Sequence, residues 1–123
     1  MALIQLMHVD EQKVLFKGEF ASVKEAIEAA VKGDVDLTGL DVCGQHLEDL
    51  DCGCGKFDNS EWKGAYLKGA NLAGSTIKNS TFRGADMRGV NLGGNDMTGT
   101  DLDGIIVDAD TNFRGTTWVA AGK

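Results

Sequence analysis

A five-residue period runs through this chain from Leu37 to Val107, and it leaves few folds open. Stepping by five gives Leu37, Val42, Leu47, Cys52, Phe57, Trp62, Leu67, Leu72, Ile77, Phe82, Met87, Leu92, Met97, Leu102 and Val107, fifteen apolar residues without a slip. A helix repeats every 3.6 residues and a strand every two, so neither keeps all fifteen on one side. With the apolar residue taken as position i, position i−2 is mostly small or apolar, as at Val35, Leu40, Ala65, Ala70, Ser75, Ser80 and Ala85. Residues two apart in an extended segment share a side, so i−2 and i line one interior. At i+2, ten of the fifteen residues are glycine, and Asn59 and Asn79 add two more. These residue types accept positive φ in tight turns. Each pentad therefore reads as a short extended segment followed by a corner. Four corners close a coil of about 20 residues, and coils stack ~4.8 Å apart, the spacing of paired strands. The absence of proline beside 17 glycines fits a chain that turns by one repeated device.

Ala70-Asn71-Leu72-Ala73-Gly74, Ala85-Asp86-Met87-Arg88-Gly89 and Thr100-Asp101-Leu102-Asp103-Gly104 follow the pattern A(D/N)LXX. On these units the chain resembles the pentapeptide-repeat family, over about two thirds of its length. The resemblance implies an all-β solenoid, a right-handed quadrilateral β-helix of about four coils; the handedness comes from the resemblance alone. Gln45, Asp49, Cys54 and Gly55 depart from the pattern in the first coil. After Val107 the register slips by one, and Phe113 and Trp118 become the central residues. The extra residue is expected as a bulge near Asp108-Ala109-Asp110.

Three regions follow: an N-terminal unit at 1–33, the repeats at 34–119 and a tail at 120–123. Leu3–Val9 and Val14–Phe20 read as strands of a hairpin around Asp10-Glu11-Gln12-Lys13. Ser22-Val23-Lys24-Glu25 is a capping box that opens a helix with Val23, Ile27, Ala30 and Val31 on its apolar face and Gly33 at its C-cap. Hairpin and helix are expected to cover the open end of the first coil. This leader resembles that of small phage and prophage members of the family. At the other end Phe113, Trp118 and Val119 either fold over the last coil or meet a second subunit. In longer members the C-terminal coil forms a dimer, which implies a homodimer here.

Positions i−1 and i+1 point outward, and every fourth pentad shares a face. Outward acids at Asp36, Asp41, Asp51, Glu61, Asp86, Asp96, Asp101 and Asp103 are the candidate partner-binding residues. Lys63, Lys68, Lys78, Arg83 and Arg88 form a basic band round the middle coils; the plain reading of that band is solvated charge balance. One face carries Asp51, Asn71 and Asn91 with Gly53, Ala73 and Gly93 beside them, a flat and nearly neutral wall.

The net charge of −7 disfavours direct binding to a nucleic-acid backbone, which needs excess Lys and Arg. It suits imitation of nucleic acid. Three cysteines, an odd number, argue against a disulfide framework and for a reducing cytoplasm. The first ten residues show no signal peptide, and no run is long and apolar enough for a membrane helix. Cys43, His46, Cys52 and Cys54 have the composition of zinc ligands, but in a coil they point in different directions, so no metal or other cofactor is expected. A filled tube without long loops offers no cleft for catalytic carboxylates, and no phosphate loop occurs, so no enzyme activity is expected. The functional expectation is a protein-binding module, specifically a DNA-mimicking inhibitor of a host DNA-binding enzyme. The family includes proteins that occupy the DNA site of type II topoisomerases, and a restriction or defence protein is an equivalent target. A structural or scaffold component is the first alternative. A sponge for small anions, held between subunits by Lys63, Arg83 and Arg88, is the second.

Overall fold

The computed structural model describes residues 1–10 and 13–120. Glu11 and Gln12 of the expected hairpin turn, and residues 121–123 of the expected tail, lie outside the described residues. In chain order the regular elements are β1 (Ala2–Met7), β2 (Val14–Phe20), α1 (Val23–Lys32), β3 (Asp96–Thr100) and β4 (Thr117–Ala120).

Between α1 and β4 the chain turns a corner every five residues. The corner residues hold positive φ whether they are glycine, such as Gly69 (φ 76°), or not, as at Asp49 (61°), Cys54 (66°), Asn59 (58°) and Asn79 (56°). Parallel bridges then join residues twenty apart. The columns are Asp41–Glu61–Thr81–Asp101, His46–Tyr66–Asp86–Ile106, Asp51–Asn71–Asn91 and Lys56–Thr76–Asp96. A coil is thus four pentads, one per side. Each side is tied in both directions: the Leu72 N–H donates to Asn91 O at 2.8 Å, and the Asn71 N–H to Leu50 O at 2.7 Å. Because a corner follows so soon, most pentads contribute a single bridged residue, and only β3 and β4 extend into a parallel ladder.

From Leu37 to Met97 every residue at position i is at most 2 % exposed. Leu102 is half-buried and Val107 is exposed, so the dry interior ends there rather than at the fifteenth pentad. The register slip lies where expected. Asn91 bridges Asn112, twenty-one residues on. The Gly89 N–H, which by the ladder rule would meet the Asp108 carbonyl, is held by Asp108 Oδ1 at 3.0 Å.

Two kinds of corner alternate with the residue at i+3. Where it is aliphatic, its N–H usually donates to the carbonyl of i in the same coil, as from Ala70 to Leu67 (2.8 Å) and from Ala85 to Phe82 (2.8 Å). Along two columns a side chain of the next coil does the pairing. The Gly55 N–H donates to Ser75 Oγ (3.0 Å), the Ser60 N–H to Ser80 Oγ (3.0 Å) and the Ser75 N–H to Asn95 Oδ1 (2.9 Å). Ser80 Oγ in turn donates back to Phe57 O (3.2 Å). Buried hydroxyls are thereby satisfied inside a narrow apolar tube, as burial requires.

At the N-terminal end β1 and β2 pair antiparallel from Ala2↔Phe20 to Met7↔Val14, with a bulge between Leu6 and Met7. The chain then meets the first coil: the Val9 N–H donates to Gly39 O (2.7 Å), and the Asp41 N–H to Met7 O (3.0 Å). Ser22 Oγ accepts from the Glu25 N–H at 3.2 Å and starts α1. Gly33 is the C-cap, but the left-handed residue is the next one, Asp34 (φ 59°). Its N–H goes to Val31 O and that of Val35 to Ala30 O, a Schellman arrangement shifted one residue beyond the glycine. Ala26, Ile27 and Ala30 of α1 are buried in one cluster with Leu6, Leu37 and Leu40. Glu28 Oε2 accepts from the Asp51 N–H (2.8 Å), where the equivalent amides of Asn71 and Asn91 find carbonyls of a preceding coil. Among the described residues no helix is long and apolar enough to cross a membrane.

Cys54 is strained in a way glycine would not be. A left-handed non-glycine residue costs about 1–2 kcal/mol, part of which the freer unfolded glycine chain gives back. Cys54→Gly is expected to raise stability by about 0.5–1 kcal/mol, seen as a higher urea midpoint, with Cys54→Ala near neutral. A lower midpoint for the glycine variant would show that the Cys54 side chain, whose sulfur lies over Gly74, contributes more than its backbone costs.

Candidate interaction surfaces

The outward acids have a local structural duty that explains the Asp/Asn preference at i−1. Asp36 Oδ1 accepts the Thr38 N–H (3.0 Å), Asp41 that of Cys43 (3.2 Å), Asp96 that of Thr98 (3.1 Å) and Asp101 that of Asp103 (2.9 Å). Asn71 and Asn91 do the same for Ala73 (3.0 Å) and Gly93 (2.9 Å). These bonds favour the ionised carboxylate. The Thr38 hydroxyl and amide hold Asp36 below the usual carboxylate range, and those of Thr98 do so for Asp96. The Arg88 guanidinium lowers Asp86, while the Asp103 amide and then Arg83 lower Asp101. In Asp36, Asp41 and Asp96 one carboxylate oxygen is occupied by the backbone and the other remains outward, whereas in Asp86 and Asp101 the second oxygen is taken by an arginine.

The basic band divides in two. Arg88 is bidentate to Asp86, with Nε–Oδ1 at 2.9 Å and Nη2–Oδ2 at 2.7 Å. Arg83 reaches up one coil to Asp101 Oδ2 (Nε 3.1 Å, Nη2 2.8 Å) and to Asp103 (3.5 Å). Lys63 lies 4.0 Å from Glu61. Lys68 and Lys78 make no ion pair among the described residues. Of the eight outward acids, Glu61, Asp86, Asp101 and Asp103 are thus ion-paired with cations of the band, Asp96 feels the charge of Lys78 without an ion pair, and Asp36, Asp41 and Asp51 have no ion pair among the described residues. Lys56 is engaged with Asp34 at 2.9 Å.

The neutral wall carries an amide ladder. Asn71 Nδ2 donates to Asp51 Oδ1 (3.4 Å), and Asn112 Nδ2 to Asn91 Oδ1 (3.1 Å). On the next wall His46 stacks on Tyr66, with ring centroids 4.4 Å apart and planes 6° from parallel. Both residues sit at i−1, twenty apart, so the period placed them in one column, but only the coordinates show the stack. Cys43 and Cys54 are exposed and Cys52 is buried. Desolvation, aided by Asp41 and Glu61, pushes the Cys43 thiol up to about 11, and burial pushes Cys52 up as well. Among the described residues no three His, Cys, Asp or Glu side chains converge to hold a metal ion.

At the C-terminal coil Ile106, Val107, Phe113, Trp118 and Val119 are between 38 % and 57 % exposed. Trp118 does bend over the coil, its Nε1 donating to Thr100 O at 2.9 Å. With Leu102, Phe113 and Thr116 it lines an open apolar pocket of about 290 Å³. Phe113, Trp118 and Val119 are thus brought to one end.

The profile for pentapeptide repeats matches residues 56–89 and 65–104, with eight copies of the repeat. No curated protein matches the chain. Among solved structures, a pentapeptide-repeat protein from the Arabidopsis thaliana thylakoid lumen is 28 % identical over 66 % of this chain, with a TM-score of 0.46, and the chain spans 59 % of its length. One from Nostoc Pcc 7120 is 18 % identical over 80 % of this chain and 96 % of its own, with a TM-score of 0.40. One from the cyanobacterium Cyanothece 51142 is 17 % identical over 58 % of this chain and 90 % of its own, with a TM-score of 0.32.

Proposed function

Because this chain belongs to the pentapeptide-repeat family, we propose that it is a non-catalytic binding module that offers the negatively charged walls of a right-handed, four-sided rod to the basic groove of a DNA-binding enzyme. The N-terminal hairpin and helix serve as the cap of that rod in this reading, and a reducing cytoplasm suits its exposed thiols. The observation that supports it most is the fate of the arginines. A positive girdle would interrupt a DNA-like negative track. Here Arg83 and Arg88 are neutralised from within by Asp101, Asp103 and Asp86. The arginines therefore add little free positive charge, Lys68 and Lys78 are the band's cations without an ion pair among the described residues, and the chain's net charge of −7 leaves acids such as Asp36, Asp41 and Asp51 outward and outside the band's ion pairs. The same pairing weighs against an anion sponge, since two of its three expected cations are already taken.

Purified protein is expected to inhibit DNA supercoiling by gyrase or cleavage by a restriction enzyme, in competition with duplex DNA and less strongly as salt rises. The triple variant Asp36→Asn, Asp41→Asn, Asp51→Asn is expected to keep the fold, because asparagine caps the same amide at Asn71 and Asn91, and to lose inhibition. Absence of inhibition at high micromolar protein, or full activity of the triple variant, removes this reading.

A second reading rests on the exposed apolar end at Phe113, Trp118 and Val119. It makes the module an assembly or scaffold element that joins a second copy through the C-terminal coil, where burial of that patch would supply the driving force.

A further inference from the structure

The strand β2 has one edge paired to β1, and no backbone bond among the described residues reaches its other edge. An open edge is a template for another strand, and most proteins block it with like charges or an obstruction. The sequence of this edge, Phe16-Lys17-Gly18-Glu19-Phe20, does the opposite: it is symmetric in its apolar residues and antisymmetric in its charges about Gly18. Phe16, Gly18 and Phe20 lie on the side that faces the core, opposite Leu6, Ile4 and Ala2. The two rings are 5.9 Å apart, and that of Phe20 lies over Gly18, where a Cβ would be 2.7 Å from it. Lys17 and Glu19 are exposed on the other side, and neither is in an ion pair among the described residues.

We propose that β2 is a self-recognition edge at which a second copy of this chain adds antiparallel, Gly18 against Gly18, to form a four-stranded sheet β1–β2–β2′–β1′. In that register Lys17 stands opposite the partner's Glu19, Glu19 opposite the partner's Lys17, and Phe16 opposite the partner's Phe20. Directly opposed residues of antiparallel strands point to the same side, so all the pairs meet. The charges also reject the neighbouring registers. A slip by two in one direction sets Lys17 against the partner's Lys17, and in the other Glu19 against the partner's Glu19. A slip by one sets charged residues against the core-facing side. Growth from two strands to four also relieves the marginal stability of a lone hairpin.

The test is sedimentation of the full chain over a wide concentration range. Wild type is expected to associate reversibly. Glu19→Lys and Lys17→Glu, each placing like charges opposite one another twice, are expected to weaken association at least about tenfold with an unchanged circular dichroism spectrum. The double variant Lys17→Glu, Glu19→Lys is again self-complementary and is expected to recover it. A wild type that stays monomeric, single reversals without effect, or a double reversal that fails to recover each overturns the proposal. An association that Trp118→Ala removes and the charge reversals leave alone belongs to the C-terminal coil, and it overturns the β2 edge while sparing the second reading above.

Discussion

Leu72→Asp is expected to abolish cooperative folding of the repeat region. Leu72 is fully buried at position i in the middle of the stack, with Cys52 and Leu92 at the same place one coil before and one after. The hydroxyls and the Asn95 Oδ1 that enter the tube sit at i−2 and bond backbone groups there, and the one buried side-chain donor left without a partner among the described residues, Asn95 Nδ2, belongs to the column of Gly55 and Ser75 and not to that of Leu72. A buried charge without a partner costs about 4 kcal/mol or more, a large part of the stability of a small domain. Asp101→Ser is the matched control. Its hydroxyl can accept the Asp103 amide as Thr81 Oγ1 accepts that of Arg83 (3.2 Å), and the Arg83 ion pair it gives up is largely exposed. A change within about 1 kcal/mol is expected. Urea unfolding followed by circular dichroism reads both. Equal effects would mean that inside and outside have been assigned wrongly.

Trp62→Ala carries the second large effect. The indole is fully buried, stacked on Phe82 at 5.3 Å and 10°, and edge-on to Phe57 at 5.2 Å and 80°. Its Nε1 donates to Ser60 Oγ at 2.7 Å, and that hydroxyl is also the donor to Phe57 O. Truncation removes the centre of a three-ring cluster and leaves a cavity that closed coils on both sides cannot fill. A loss of about 3–5 kcal/mol is expected from the same unfolding experiment. Trp62→Phe keeps most of the volume and gives up the N–H donor, and is expected to cost about 1–2 kcal/mol. A loss below about 1 kcal/mol for the alanine variant would show that the ring cluster is not part of the supporting core.

The period was legible because its cause is local: an extended step and a left-handed corner are written within each five residues. Even Asp49 and Cys54, which look like misfits, take the common corner. Their amides are held from the next coil by Lys68 O (2.9 Å) and Ala73 O (2.8 Å), so the stack imposes the conformation that the residue type disfavours. What could not be read depends on partners about twenty residues away. Ser75 and Ser80 look like small fillers until they are seen completing corners of the coil before. Arg83 looks like part of a free positive band until Asp101, eighteen residues on, closes on it. The outward aspartates look like a binding surface, yet Asp36, Asp41, Asp86, Asp96 and Asp101 also cap an amide two residues ahead. The interior list failed only at its end: Leu102 and Val107 hold the right place in the period, but no further coil lies over them among the described residues.

The side-chain corners limit how such a rod can change length. Ser75, Ser80 and Thr100 serve residues of the storey beneath, so an inserted or deleted pentad would move every wall by a quarter turn and separate donors from acceptors throughout. Additions that preserve all the columns come in whole storeys of twenty residues. The single extra residue after Val107 is the exception that shows the condition: it is tolerated because the carboxylate of Asp108 extends to the Gly89 amide that the displaced carbonyl no longer meets.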